Sequence, residues 1–248
     1  KMEDRRLRGA ARIIDGIRGQ IIRGALCPGA AIPSHLSLAK RYGISTVAVQ
    51  NGLNALSSQG FVEARPRVGT FVAKNPPHLN DYALVFCSDP ALAPPASGRS
   101  WTRYHVALTN EALRLQKETG KRILHFHGID EHADSEDRVR LESYVESQRV
   151  AGIIFTTAPF LLRGSPILTQ PGIPRVAVSS APEPGVDMLV VNYDFTLWYA
   201  KALDFLAGQG RRRVATLGLS SATGHHLMME ACLRRLLPER GMLTKSRW

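Results

Sequence analysis

The chain has 248 residues, of which 44% are hydrophobic, and this supports one large or two modest domains with ordinary globular cores. No apolar run approaches the roughly 20 residues of a membrane-spanning helix, which argues against a membrane protein. The three cysteines, Cys27, Cys87 and Cys232, lie far apart and form no Cys-x-x-Cys pair. They argue against a disulfide framework or a zinc knuckle and favour a reducing cytoplasm.

The formal net charge of +11 is unevenly distributed along the chain. Residues 1–74 hold twelve Lys/Arg against four Asp/Glu, whereas residues 75–248 hold twenty against seventeen. A basic N-terminal third on a nearly balanced remainder indicates a head domain that binds a polyanion. A charged solubilising surface is the alternative, and charge alone does not distinguish the two, but the motif in this region favours the head.

The first two helices of the head follow from apolar spacing and capping residues. Isoleucines at helical spacing predict an amphipathic helix over residues 10–22. Ser34 is a suitable N-cap for a short second helix, whose Leu38 faces inward. Gly43 then makes the turn that leads to a third helix.

The third helix and a hairpin complete the head. Ser45 caps the helix and Gly60 ends it. Its inward positions repeat at helical spacing and are Val49, Leu53 and Leu56. Short strands are predicted at 61–64 and 70–73, on either side of a basic tip at 65–69. This order of elements predicts a winged helix-turn-helix.

In such a domain the third helix lies in the major groove of DNA, with its N-terminal residues nearest the bases. The amides of Gln50 and Asn51 suit both edge atoms of adenine, and Val47 suits a thymine methyl group. Arg65 and Arg67 suit phosphates or a narrow minor groove. Ordinary exposed helix residues are the alternative interpretation of Gln50 and Asn51. The full set of predicted DNA contacts is Ser34, Ser45, Thr46, Val47, Gln50, Asn51, Arg65, Arg67 and Gly69.

The head also carries a specific combination of residues: Pro28-Gly29, Ile32-Pro33-Ser34, Leu38-Ala39, Gly43-Ile44-Ser45, Val49, Leu53, Leu56, Gly60-Phe61-Val62 and Gly69-Thr70-Phe71-Val72. With this combination, residues 10–74 resemble the DNA-binding domain of the GntR family of bacterial transcription regulators. The resemblance implies a winged helix-turn-helix DNA-binding domain, which we assign to residues 1–74. At several positions where family members carry residues expected to contact DNA, this chain has different residues. They are His35-Leu36, Thr46, Ala48 and Gln50.

After residue 74 the pattern changes to alternating strands and helices. Residues 75–81 are predicted to form a stiff, polar linker. Strands are predicted at 82–87, 122–126, 152–156, 175–179, 188–191 and 213–218, and helices at 105–118, 134–149, 195–209 and 224–237. This alternation predicts a doubly wound parallel sheet with helices on both faces. An antiparallel, chorismate-lyase-like effector domain, common behind GntR heads, would suit the length, but the alternation argues against it.

Several segments of this region occur in a characteristic order: Val150–Phe155, Gly172–Val176, Val190–Asp194 and Phe205–Ala215. Their order resembles the LacI/GalR-type sensor, a periplasmic-binding-protein-like domain with a ligand cleft between two lobes. The resemblance covers about 82–237 and implies that residues 82–248 form an effector-binding domain. Such a sensor behind a GntR head is typified by arabinose-responsive repressors.

Ligands of open α/β sheets bind at the carboxyl ends of the strands. With the resemblance to a sugar sensor, this rule places the effector near Asp89, Trp101, Tyr104, His127, Ser179 and Asp194. Aromatic rings stack on sugar faces, and carboxylates or hydroxyls bond sugar hydroxyls. For Trp101 and Tyr104, packing between sensor and head is an equally good interpretation.

The chain is shorter than a complete regulator of this kind. A two-lobed sensor needs roughly 250–300 residues, and 170 residues follow His78. We therefore expect a first lobe that is complete or nearly so and a partial second lobe, incomplete at the C-terminus. The chain begins with Lys1 and stops at Trp248, so we expect it to be a piece of a longer protein.

Signals for catalysis or metal binding are few. His125 and His127 share one face of a strand, as a metal site requires, but a strand-end pair without convergent carboxylates is more often structural. The sequence contains no Gly-x-Ser-x-Gly, phosphate-loop or dinucleotide motif. We therefore expect that the protein is not an enzyme and holds neither a metal nor a cofactor. The alternative of a metal hydrolase would need the detection of bound metal to support it.

The expected fold class is α/β, with an N-terminal winged helix-turn-helix and a doubly wound parallel sensor domain. The expected function is a sequence-specific DNA-binding transcription regulator, a repressor that binds double-stranded DNA as a homodimer on a palindromic operator. A small sugar-like effector would control it by favouring a lobe arrangement that misplaces the two heads. The alternative is a solute-binding or interaction protein whose head has lost strong DNA affinity.

Overall fold

A computed structural model describes residues 2–87, 89, 103–129, 134–178, 185–192, 195–215 and 224–244. Contacts divide the chain into two compact units, Lys1–Phe155 with Leu161–Arg175, and Thr156–Phe160 with Val176–Trp248. No helix in these described ranges combines the length and the apolar character needed to cross a bilayer. Our predicted domain boundaries at 74 and 81 remain predictions.

Three helices open the first unit, and they match the predicted order. Helix α1 spans Met2–Ile22, α2 spans His35–Tyr42 and α3 spans Thr46–Ser58. Both predicted N-caps are confirmed, because Ser34 Oγ accepts a hydrogen bond from Ser37 N and Ser45 Oγ accepts one from Ala48 N. Helix α1 begins eight residues before the predicted start at 10, since the apolar repeat used for that prediction sets in only at Ile13.

The helices pack closely enough that one position of α3 has no room for a side chain. A Cβ atom at Gly52 would lie 2.7 Å from Ile13 Cγ2 and 3.1 Å from the Ala10 carbonyl oxygen. The predicted inward residues are buried in the resulting core, whose members are Ile13, Ile17, Ile21, Ile32, Leu38, Val49, Leu53, Leu56, Phe61, Val62 and Val72. Small residues in α3 therefore serve close helix packing.

The hairpin consists of β1, Val62–Arg65, and β2, Gly69–Val72, paired antiparallel with Val62 opposite Val72. Each strand is shifted by one residue from the prediction. Phe61, predicted to open the first strand, instead continues from the helix, since its N–H donates to the Leu56 carbonyl. An isolated antiparallel bridge pairs Ala31 with Phe71, so a third segment of the chain lies beside the hairpin. We did not predict this pairing.

The segment between the head and the sheet differs from the predicted polar linker. Helix α4 occupies Pro77–Asn80, and the next strand already begins at Asp81. Asn80 and Asp81 are 9% and 3% exposed, and the His78 ring stacks on Phe61 with 5.8 Å between centroids. Burial of a polar turn depends on what packs over it, which local composition does not reveal.

The remainder of the first unit, residues 81–155 and 161–175, is called here the α/β lobe. Its strands are β3, Asp81–Val85, β4, Arg122–Phe126, and β5, Gly152–Phe155, and its helices are α5, Arg103–Thr119, α6, Glu136–Glu146, and α7, Pro166–Thr169. Strand β3 pairs parallel with both neighbours, and Val85 lies opposite Phe126 and Phe155. The parallel pairing confirms the predicted sheet type and excludes the antiparallel alternative.

The second unit contains another parallel pair. Strand β6, Arg175–Val178, whose first residue belongs to the first unit, pairs with β7, Leu189–Val191. Helices α8, Phe195–Gly208, and α9, Gly224–Glu239, enclose a core with Leu203, Val214, Leu233, Leu236, Leu237 and Met242. Of the strand predicted at 213–218, Arg213 forms a parallel bridge with Leu243, and 216–218 lie outside the described residues.

Head and α/β lobe touch within the first unit at the end of α6. Arg18 Nη1 on α1 donates to the Ser147 carbonyl oxygen over 3.2 Å. Its Nη2 pairs with Asp15 at 2.7 Å, and the Arg18 side chain is 13% exposed. A cation at the carboxyl end of a helix is favourable, because the last carbonyl groups of the helix have no partner within it.

Candidate nucleic-acid interface

The outer face of α3 is a polar surface that begins at a capped N-terminus. The residues that pack inward are Ala48, Val49, Gly52, Leu53 and Leu56. The predicted base-contacting residues all lie on the opposite, exposed face: Thr46, Val47, Gln50 and Asn51. Because the apolar positions recur every three to four residues, folding leaves these four side chains exposed to solvent.

Two amides on this face are bonded to each other. Gln50 Nε2 donates to Asn54 Oδ1 over 2.8 Å. Asn54 was not among the predicted contacts, although its spacing of four residues from Gln50 is the spacing of helical neighbours. Helical periodicity could therefore have identified it.

The wing tip is a tight turn with an arginine in a left-handed conformation. Val68 N donates to the Arg65 carbonyl over 3.1 Å, which closes a four-residue turn with Pro66 second and Arg67 third. Arg67 has φ of 62°, the sign that a type II turn requires at its third position, where glycine is the usual residue. The turn holds the exposed Arg67 at the tip of the wing at a conformational cost of about 1 kcal/mol.

The second predicted wing arginine is engaged within the hairpin. The Arg65 Cζ atom lies 4.4 Å from the centroid of the Phe71 ring, and Nε donates to Glu63 Oε1 over 3.0 Å. Both members of the ion pair are 42% exposed. Arg65 can therefore reach a phosphate only if it releases or shares Glu63.

Helix α3 and the wing enclose a cavity of about 520 Å³. It is lined by His35 of α2, by Gln50, Leu53, Asn54 and Ser57 of α3, and by Val62, Ala64, Arg65, Arg67, Val68, Gly69 and Thr70 of the wing. The structure thus brings four predicted DNA contacts, Gln50, Arg65, Arg67 and Gly69, to one concave surface. His35 was noted in the sequence only as a departure from a family pattern, and its place in the cavity was not anticipated.

The charge around this surface is positive because acids are few and paired. Residues 8–74 contain nine Lys/Arg and two acids, Asp15 and Glu63. Asp15 is paired with Arg18 and Glu63 with Arg65. Such a surface attracts a phosphate backbone.

Three predicted effector residues, Asp89, Tyr104 and His127, fall in the described part of the α/β lobe. His127 follows β4, and its ring stacks on Phe86 with 4.8 Å between centroids, while its backbone N–H donates to Asp137 over 2.7 Å. Burial lowers the pKa of His127, and the charges of Asp137 and Asp89 partly oppose this. Tyr104, at the start of α5, lies 5.8 Å from the ring of His105. Trp101, Ser179 and Asp194 lie outside the described residues.

The possible metal site was based on His125 and His127, whose ring centroids are 6.2 Å apart. In the described part of the chain no three His, Cys, Asp or Glu side chains converge as metal ligands. His105 was missed by the sequence reasoning, yet its ring contacts Phe86 with a 5.4 Å centroid distance. These imidazoles share one aromatic neighbour at the carboxyl edge of β3 and β4.

Comparison with known proteins gives a match for the head. Residues 10–72 match the family described as "Bacterial regulatory proteins, gntR family". The mannosyl-D-glycerate transport/metabolism system repressor MngR of Escherichia coli K12 is 41% identical over 74 residues, 30% of this chain and 31% of that protein. The transcriptional regulator Rv1152 of Mycobacterium tuberculosis H37Rv is 36% identical over 66 residues, 27% of this chain and 51% of that protein.

A solved structure with likeness to the head is that of the DNA-binding domain of AraR in complex with operator ORX1. It is 29% identical, covers 26% of this chain and 78% of that chain, and has a TM-score of 0.26. The chain spans between about a quarter and a half of the length of the curated relatives it matches. The family match shows that residues 10–72 of this mixed α/β chain form a GntR-family helix-turn-helix domain, the domain type of bacterial DNA-binding transcription regulators.

Proposed function

We propose that the protein is a sequence-specific DNA-binding transcription regulator, a repressor whose operator binding is controlled by a small sugar-like effector. The observation that carries the proposal is the exposed polar face of α3 beside a wing whose tip holds Arg67 outward. In a helix-turn-helix these are the surfaces that meet the major groove and the neighbouring backbone or minor groove. The similarity of the head to the repressor MngR supports repression.

Each predicted contact has a role in this proposal. Thr46, Val47, Gln50 and Asn51 face the base edges, and Ser34, Ser45, Arg65, Arg67 and Gly69 meet the backbone. Helix α3 contains no Lys or Arg. Neutralisation of phosphates therefore depends on the wing and on the basic residues of α1 and α2, and the salt dependence of binding should reflect few ionic contacts.

The proposed regulation takes place in a homodimer in the cytoplasm. Two heads bind the half-sites of a palindromic operator, so that any change in their spacing lowers affinity. The effector binds at the carboxyl ends of the strands, near Asp89, Tyr104 and His127 and near Trp101, Ser179 and Asp194. Since it binds one arrangement of the sensor more tightly, it shifts the population away from the DNA-binding arrangement.

The test is fluorescence anisotropy with a labelled duplex from upstream of the protein's own gene, measured at several salt concentrations. A specific complex that survives excess competitor DNA supports the proposal. A panel of mono- and disaccharides is then added, and the sugar that releases the duplex should lose its effect in Asp89→Asn. Affinity equal for the upstream duplex and for competitor DNA contradicts sequence-specific binding.

One observation favours a second function, a solute-binding or interaction protein with a weakly binding head. Arg65 is already paired with Glu63 and α3 lacks cationic residues, which leaves few groups for phosphates. Calorimetry with the same sugars separates the two candidates. Sugar binding without measurable DNA binding at low salt selects this second function.

A further inference from the structure

One ridge of α3 faces the wing. Its polar members are Gln50, Asn54 and Ser57, and all three line the cavity of about 520 Å³ between α3 and the hairpin. Arg65 and Arg67 line the same cavity from the wing side. If the head binds DNA as proposed, base edges that reach Gln50 lie next to Asn54.

The bond between these two amides determines what Gln50 can offer to a base. A primary amide has two N–H donors and one carbonyl oxygen. Gln50 Nε2 uses one donor in its 2.8 Å bond to Asn54 Oδ1. The other N–H and the carbonyl Oε1 remain, and together they complement the N7 acceptor and the N6 donor of adenine in the major groove.

Without Asn54 the same glutamine is less selective. Its terminal torsion is broad and roughly two-fold, so donor and acceptor can exchange places. A freely rotating amide can also donate to guanine O6 or N7, or accept from cytosine N4, although it then loses the donor–acceptor match that it makes with adenine. The observed direction of the bond, with Gln50 as donor and Asn54 as acceptor, therefore leaves Gln50 with the two groups that match adenine.

We propose that Asn54 is a specificity-determining residue, which holds the Gln50 amide in the orientation that reads adenine. Asn54 acts through Gln50 and is thus a positioning residue. The inference rests on the proposed function and extends it to a residue outside the DNA contacts predicted from the sequence. It assigns an A·T pair to the position of the bound DNA that lies opposite Gln50.

The experiment is selection of duplexes from a random-sequence library by the full chain, followed by affinity measurements on the selected duplex and its single-pair variants. Gln50→Ala identifies the position that Gln50 reads. At that position wild type should prefer A·T, and a change to G·C should weaken binding roughly tenfold. In Asn54→Ala the same change should weaken binding about threefold or less, with affinity for unselected DNA and its salt dependence unchanged.

Two further variants separate a positioning role from a general effect of altering the ridge. Asn54→Asp retains an acceptor for the Gln50 Nε2–H, so it should keep the A·T preference although its added charge weakens binding to all DNA. Ser57→Ala alters the same ridge without touching the amide pair and should keep both preference and affinity. All substituted residues are exposed, so circular dichroism should show unchanged helix content.

The outcomes are distinguishable. The inference is overturned, with the proposed function intact, if Asn54→Ala keeps the full wild-type preference at the position that Gln50→Ala identifies. It is also overturned if Ser57→Ala loses as much preference as Asn54→Ala. A folded wild-type chain that enriches no sequence overturns the proposed function and the inference with it.

Discussion

A buried phenylalanine in the head and one in the α/β lobe have different surroundings. Phe61 is fully buried in the aliphatic core of the head, with the His78 ring on one side. Phe86 is also buried, but three imidazoles surround it at the carboxyl edge of the sheet, those of His105, His125 and His127. In the head the candidate binding residues lie outside the core, whereas in the lobe the candidate His127 packs directly against a buried ring.

This difference predicts how each region responds to substitution. The exposed side chains of α3 and the wing can change without loss of the head's core, so DNA affinity and stability should vary independently. At the lobe edge the imidazoles that surround Phe86 are half-buried, so changes there should alter stability and its pH dependence together with any ligand affinity.

The largest effect is expected from Phe61→Ala. Removal of a fully buried ring from a close-packed core costs about 3–5 kcal/mol, and it also removes the contact with His78. The free energy of unfolding measured with urea and far-ultraviolet circular dichroism should fall by that amount. Leu36→Ala, at a residue that is 75% exposed, is the control and should change it by less than about 0.5 kcal/mol. A loss below 1 kcal/mol in Phe61→Ala would show that the head core is loosely packed.

Glycine-to-alanine substitutions in two helices should have opposite signs. At Gly52 the new Cβ would meet Ile13 at 2.7 Å, so α1 and α3 must separate at a cost of about 1–3 kcal/mol. At Gly208, the last residue of α8, nothing lies within 4 Å, and alanine should stabilise by up to about 1 kcal/mol. Thermal unfolding of both variants tests the pair. An equal gain in both would rule out the close α1–α3 approach.

Stability should decrease as the pH falls below about 6.5. Burial lowers the pKa of His78, His125 and His127, with the neighbouring His127 adding to the effect at His125. Just below the ordinary histidine pKa, the unfolded chain therefore binds more protons than the folded chain, which favours unfolding by up to about 1.4 kcal/mol per pH unit for each proton. Urea midpoints at pH 7.5, 6.5 and 5.5 measure this slope.

His125→Gln provides the matched comparison for the pH series. It removes one titrating group from the lobe edge. The decrease in the free energy of unfolding between pH 6.5 and 5.5 should therefore be smaller than in wild type, by up to the contribution of one proton, about 1.4 kcal/mol. A wild-type stability that rises on acidification would show that these imidazoles gain stabilisation by protonation, contrary to the direction expected from burial.

The contact between head and lobe is tested by Arg18→Ala. The variant loses a charged hydrogen bond to the Ser147 carbonyl from a side chain that is 13% exposed, at an expected cost of about 1–2 kcal/mol. Hydrogen exchange at the last turn of α6 should accelerate. Asp15→Ala breaks only the exposed ion pair and should cost below about 0.5 kcal/mol. Equal losses would assign the effect to the ion pair instead.

The smallest effect on stability is expected at the wing tip. Arg67→Gly relieves a left-handed conformation worth about 1 kcal/mol, and the gain is offset by about 0.5–1 kcal/mol of glycine backbone entropy. Stability should thus stay within about 0.5 kcal/mol of wild type. DNA affinity should nevertheless fall. The slope of the logarithm of the binding constant against the logarithm of the salt concentration should decrease by about 1, which corresponds to the loss of one ionic contact. Val68→Ala, exposed on the same turn, should leave both unchanged. An unaltered salt slope in Arg67→Gly would exclude a phosphate contact.

Helices and strands that are determined by residues close in the sequence were predicted well. Ser34 and Ser45 cap the helices that they were expected to cap, and β4 spans Arg122–Phe126 as predicted. The short helices α4 and α7 were missed, because four residues give no periodicity and their stability comes from what packs on them. The buried start of β3 was assigned to a linker for the same reason.

The candidate interface was predicted in part. The exposed face of α3 follows from the 3.6-residue period, so Gln50 and Asn51 could be identified from the sequence. The engagement of Arg65 by Glu63 and Phe71 could not, since it depends on how the strands of the hairpin place their side chains. The role of Asn54 became evident only from the amide bond and the cavity that it lines.

The sequence by itself determined the class of the head and the parallel type of the sheet. Caps, turn glycines and apolar spacing act between residues close in the chain, so they are visible without a fold. Only the tertiary structure decided that Arg18 bonds a carbonyl 129 positions away, that α1 leaves no room at Gly52, and that three histidines gather around Phe86. Such contacts depend on the packing of distant segments, which no local pattern encodes.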